Sequence, residues 1–121
     1  MRFILNRIRS LKFVLRGMLY LLRNENAIIF HSMVCCVLVV LGFCVGLSSA
    51  HWIIQILCMG AVLATESLNT AIEKVCDFVH PNYHKKIGEI KDIAAGAVAF
   101  ATISAFVALC LVYYPYVKAL L

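Results

Sequence analysis

Polar and apolar positions along this chain are sharply segregated. No Asp, Glu, Lys or Arg occurs from residue 26 through 65, nor from 93 through 117. An α-helix needs ~20 mainly apolar residues to cross the ~30 Å hydrocarbon core of a bilayer. The first run, 40 residues long, therefore predicts two crossings joined by a tight turn at Gly46-Leu47-Ser48-Ser49-Ala50, and the second, of 25 residues, predicts a third. Expected spans are residues 27–47, 51–73 and 92–116. Ahead of them, Arg2, Arg9, Arg16 and Arg23 recur every seven residues with Lys12 beside them. Ile4, Leu11, Leu15, Met18 and Leu22 fall on the opposite face, which predicts an amphipathic helix over residues 1–23 lying on an anionic membrane surface. The expected fold class is an all-α membrane protein forming one domain over residues 1–121.

Composition agrees: 64% hydrophobic and 14% charged residues exclude an ordinary soluble domain. Charge placement then sets orientation. Six of the eleven Lys and Arg lie in the first 23 residues, and four (Lys74, Lys85, Lys86, Lys91) precede the third span. By the positive-inside rule the amino terminus and second loop are cytoplasmic, and Trp52 and Tyr113-Tyr114-Pro115-Tyr116 fall in the outer aromatic belt. No small-residue cleavage site follows the apolar run, which argues against a signal peptide. The six cysteines form no C-x-x-C pair and read as small apolar packing residues. Pro81 marks a loop at His80-Pro81-Asn82-Tyr83-His84.

One feature defies the apolar pattern. Glu66, Asn69, Glu73 and Asp77 stand at i, i+3, i+7 and i+11. At ~100° per residue they share a ~80° arc of one helix face. If the second span begins near Trp52, Glu66 lies ~21 Å into the ~30 Å slab, Asn69 ~25 Å in, and Glu73 at the inner boundary. Ionisable groups inside a membrane are costly and usually functional. Glu25, between Asn24 and Asn26, and Asp92, after Lys91, mark the same membrane face. Taken singly, Asp92 would charge-match a helix amino terminus and Glu25 would be an interfacial carboxylate. Together, five carboxylates repel unless protonated or bridged by a cation. Mg²⁺, which takes one or two carboxylates plus phosphate oxygens, suits phosphoryl transfer to a lipid. No G-x-x-x-x-G-K-[ST] or G-x-G-x-x-G phosphate loop is present.

Glu66-Ser67-Leu68-Asn69-Thr70-Ala71-Ile72-Glu73, then Asp77, Tyr83-His84 and Lys91-Asp92-Ile93-Ala94-Ala95-Gly96-Ala97-Val98 together resemble the bacterial integral-membrane diacylglycerol kinase family. That family includes undecaprenol kinases. Phe13 through Gly17 and Asn24-Glu25 resemble its surface helix and first-span entrance, so the likeness covers nearly the whole chain. It implies a homotrimer in the bacterial cytoplasmic membrane, with ATP as co-substrate, Mg²⁺ as cofactor, a membrane lipid as acceptor and no nucleic acid as partner. By motif match, Glu66 is the base that also meets the lipid, Asn69 orients Glu66 or the lipid hydroxyl, and Glu25 and Glu73 hold Mg²⁺. Phe13, Asn82, Tyr83, His84, Lys91 and Asp92 are the implied ATP contacts. The small residues after Asp92 permit close helix approach.

Three departures stand out: Phe13 where some members carry tyrosine, Asn6 where some carry arginine, with Arg7 or Arg9 as substitutes, and Ile90 where alanine is common. Diacylglycerol is the first expected acceptor and undecaprenol a close alternative, which the Asp92–Val98 wording favours. A small proton-coupled transporter would place its carboxylate near the midplane with other charges scattered. A purely structural subunit leaves the carboxylate convergence unexplained. His31, early in the first span, is expected to hydrogen-bond between helices, and His51 and His80 carry no assignment.

Overall fold

The computed structural model describes residues 2–121, and the side chains of all of these except residues 2, 3 and 6. The expectations placed on the side chains of Arg2 and Asn6 lie outside that set. Four helices follow in order: α1 (Arg2–Asn24), α2 (Asn26–Val45), α3 (Ser49–Val79) and α4 (Lys85–Leu120). No strand occurs among the described residues. The last three are long and apolar enough to cross a membrane, so this is a multi-pass membrane protein.

The helices overrun the expected spans. With 31 and 36 residues, α3 and α4 are ~46 and ~54 Å long, well beyond the ~30 Å apolar core. The surplus beyond the expected spans, Lys74–Val79 of α3 and Lys85–Lys91 of α4, carries the charged residues at that end of the two helices. Asp92 is corrected accordingly. It lies two turns inside α4, whose amino terminus is capped instead by His84, its ring accepting from Lys86 N–H at 3.2 Å.

The α2–α3 turn falls where expected and has a local cause. Gly46 adopts the left-handed conformation (φ 67°, ψ 52°), and Leu47 N–H reaches back to Gly42 O at 3.0 Å. That is a Schellman closure, completed by the buried Leu47. Ser48 caps α3, its hydroxyl accepting from His51 N–H. Trp52 folds back on α2 rather than simply lying in the outer belt. Its ring centroid is 4.9 Å from that of Phe43, and a Cβ at Gly42 would come within 2.7 Å of it. Gly42→Ala should therefore overpack this corner and destabilise by about 1–3 kcal/mol, read as earlier thermal unfolding in detergent.

The tyrosine cluster is likewise split. Tyr114 faces outward, but Tyr113 turns inward, its hydroxyl 2.7 Å from Gln55 Oε1 and 3.2 Å from Leu38 O. Gln55, fully buried, donates its amide to Leu38 O at 3.0 Å. The Tyr116 hydroxyl accepts from Ser48 N–H at 2.9 Å and meets His51 Nδ1 at 2.8 Å. Hydrogen bonds thus tie all three spans together in the half of the bundle away from the charged stripe, where polar groups have few other partners. Pro115, in the last turns of α4, does not end the helix.

Two packing expectations change. The cysteines are unbonded, but only Cys76 is buried, while Cys36, Cys44 and Cys110 face outward. Of the small residues after Asp92, Ala94 packs inward, whereas a Cβ on Gly96 would meet nothing within 4 Å. Wide apolar faces, including Phe100, Ile103, Phe106 and Leu111 of α4, remain exposed on the single chain.

Candidate functional site

Helix α3 is central: it packs most extensively on α4 and also on α2. Its buried seam runs through Gln55, Val62, Glu66 and Thr70. Glu66 is therefore not at the rim of the polar stripe but on the packing face, only 8% exposed. Asn69 is half-buried, and Glu73 and Asp77 are exposed. Burial within the chain thus falls along one face, from Glu66 through Asn69 to Glu73 and Asp77.

Three contacts build the surroundings. Asn69 Nδ2 donates to Glu73 Oε1 at 2.9 Å, leaving Asn69 Oδ1 buried without a hydrogen-bond partner. The carboxylate can only accept, so the amide orientation is fixed and the orphan is the carbonyl oxygen. Glu25 occupies the break between α1 and α2 in extended conformation (φ −112°, ψ 107°) and makes no side-chain cap to α2. Its carboxylate instead pairs at 2.8 Å with Nζ of Lys74, the residue that follows Glu73 in the chain. The Tyr20 ring, 5.1 Å from Lys74 Nζ, joins α1 to the same point. Lys74 lies beyond the apolar span, and hydrogen bonding, to Glu25 first and Tyr20 next, raises its pKa above the ordinary lysine value. The third contact involves His31, whose Nδ1 lies 3.6 Å from Glu66 Oε1.

Beyond Glu73, Lys91 of α4 hydrogen-bonds Asp77 of α3, which raises its pKa as well. Such exposed pairs contribute little to stability but fix the placement of long side chains. Above them the α3–α4 loop encloses a polar pocket of about 140 Å³, lined by Asp77, Asn82, Tyr83, His84 and Lys91 among others. His80 Nδ1–H donates to Asn82 O at 2.8 Å and its ring sits 5.1 Å from that of His84, which shapes the loop. Four of the six expected nucleotide residues therefore share one pocket. The other two stand apart: Asp92 is exposed and outside the lining, and Phe13 projects from α1, 66% exposed, with Arg16 Cζ 5.9 Å from its ring centroid.

Among the described residues, no three His, Cys, Asp or Glu side chains gather closely enough to cage a metal. The donor set nevertheless fits Mg²⁺. Glu25 and Glu73 supply hard carboxylate oxygens, and Mg²⁺ is commonly held by one or two carboxylates together with substrate phosphates and water. The sequence pattern did not identify Lys74, which it used only for topology, nor Gln55 and Tyr113. A lone amide in an apolar run was the available signal for Gln55.

Residues 12–113 match the model of the family described as prokaryotic diacylglycerol kinase. The undecaprenol kinase of Bacillus subtilis is 39% identical over 101 residues, covering 83% of this chain and 81% of that protein. The diacylglycerol kinase of Haemophilus influenzae is 32% identical over 105 residues, covering 87% of this chain and 83% of its own.

Proposed function

The chain belongs to the prokaryotic diacylglycerol kinase family and is an ATP-dependent lipid kinase, and we propose that its acceptor is an undecaprenol-type polyprenol. Diacylglycerol is the acceptor first expected from the family resemblance. The higher identity with an undecaprenol kinase and the Asp92–Val98 wording move the polyprenol ahead. Diacylglycerol remains the second reading, favoured by the relative that carries that name.

The buried Glu66 beside a solvated stripe is the observation that carries the mechanism. A lipid hydroxyl arriving from the inner leaflet gives its proton to a Glu66 oxygen. The freed oxygen bonds to the γ-phosphorus of ATP, and the bond from that phosphorus to the β–γ bridging oxygen breaks. ADP leaves with the electron pair. Asn69, its amide end engaged by Glu73, presents a carbonyl that takes the single hydrogen of the arriving hydroxyl before that hydrogen turns to Glu66 for transfer; the carbonyl would repel an ionised Glu66. Asn69 therefore orients the lipid hydroxyl rather than the base. Glu25 and Glu73 would hold Mg²⁺, which neutralises charge on the phosphates when bound. Asn82, Tyr83, His84 and Lys91 bind nucleotide in the loop pocket. Phe13 and Asp92 complete that site from the neighbouring protomer of a homotrimer, an arrangement supported by their separation from the pocket and by the exposed apolar faces. The basic amino terminus and loop support a cytoplasmic position for this whole face, with the chain in the bacterial cytoplasmic membrane.

The test is phosphorylation by the purified, detergent-solubilised protein with labelled ATP, Mg²⁺ and either lipid. Faster labelling of undecaprenol is the expected result. Faster labelling of diacylglycerol would reverse the choice of acceptor.

A further inference from the structure

We propose that His31 is a positioning residue for the Glu66 base, an inference that rests on the kinase reading above. His31 lies in the second turn of α2, and two neighbours on its own helix fix its ring. Nδ1 lies 2.9 Å from Ala27 O, one turn back, and Phe30 meets the ring edge-on with centroids 5.5 Å apart. A carbonyl oxygen only accepts, so Nδ1 carries the hydrogen. That same N–H lies 3.6 Å from Glu66 Oε1. The hydrogen is already given to Ala27 O and the separation is too long for a second hydrogen bond, so His31 meets this carboxylate oxygen as a fixed polar neighbour at 3.6 Å.

Glu66 needs such a neighbour. It is buried on the packing seam of α3, and among the described residues His31 is the only basic side chain with a nitrogen within 4 Å of its carboxylate. Asn69 does not serve, because its donor end faces Glu73. With Oε1 drawn toward α2, the second oxygen is left for the lipid hydroxyl. The hydrogen on Nδ1 also defines what His31 does not do: the nitrogen facing Glu66 has no free lone pair to receive the lipid's proton. Its part is geometric, joining the first span to the base on the second.

The design of the test follows from which nitrogen acts. The amide nitrogen of Asn overlays Nδ1 of a histidine, whereas that of Gln overlays Nε2. Wild type, Glu66→Gln, His31→Ala, His31→Asn and His31→Gln are assayed in one detergent with labelled ATP, Mg²⁺ and both lipids, and the unfolding temperature of each is recorded. His31→Ala should lower kcat about 10–100-fold, the scale on which small misplacement of a reacting group acts. KM for lipid and for ATP should stay near wild type. His31→Asn should restore most of the loss and His31→Gln should not, although the two unfold at similar temperatures. An active wild type with a dead Glu66→Gln and a His31→Ala of normal kcat would overturn the His31 role alone. Equal activity of the Asn and Gln variants would do so too, and this pair decides the matter if His31→Ala does not fold. Wild type that labels neither lipid would remove the kinase reading and this inference together.

Discussion

Glu66→Gln is expected to lower kcat by about 10²–10⁴-fold, the usual range for loss of a positioned general base. Gln keeps the size and hydrogen-bonding shape of Glu but cannot take a proton. Glu66 lies on the seam with Val62 and Thr70, so truncation to Ala would confuse lost chemistry with a cavity; Gln avoids this. Binding of nucleotide should survive, because the proposed contacts belong to the α3–α4 loop and the level of Glu73. The measurement is a steady-state comparison of kcat and of KM for ATP. A fall in kcat with KM unchanged marks an interaction made only in the transition state. A variant that kept its kcat but lost affinity for lipid would reduce Glu66 to a binding group.

Local periodicity explains how much of this site was legible. Glu66, Asn69, Glu73 and Asp77 are one helix face whatever the helix packs against, so spacing alone located them, and rise per residue ordered their depth. The turn was legible for a similar reason, since Gly46 and Ser48 act within a few residues. Contacts between helices were not legible. The chain pattern says which residues share a face but not the angle at which that face meets its neighbour. Lys74 thus reads as one more positive-inside charge until its pairing with Glu25 on another helix appears. Tyr113 reads as part of an aromatic belt until its hydroxyl is found on Gln55. The start of α4 is not marked by the loss of charge at Asp92. Charge tracks the lipid boundary, whereas the helix continues until His84 caps it.

Asn69→Ala should separate function from stability, with the two moving in opposite directions. The buried Oδ1 has no partner, and a buried acceptor left unsatisfied costs about 1–3 kcal/mol. The bond from Nδ2 to Glu73 is exposed at its far end and returns only about 0.5–1.5 kcal/mol. Removing both should leave the unfolding temperature unchanged or raised, since Ala is also the better helix former. Activity should fall steeply: the lipid hydroxyl loses its acceptor and Glu73 loses the neighbour that orients it. A drop in kcat of about 10²-fold is the scale for a lost orienting contact. Asn69→Asp sharpens the test, because it sets a carboxylate against the Glu73 carboxylate where a donor stood, so repulsion should lower both activity and unfolding temperature. Unfolding in detergent and lipid phosphorylation, measured on the same samples, give both readouts. If Asn69→Ala lost stability and activity in parallel, the orphaned oxygen would be an ordinary structural contact. An acceptor kept buried and unpaired at a net cost in the free protein is accounted for by the hydroxyl it receives.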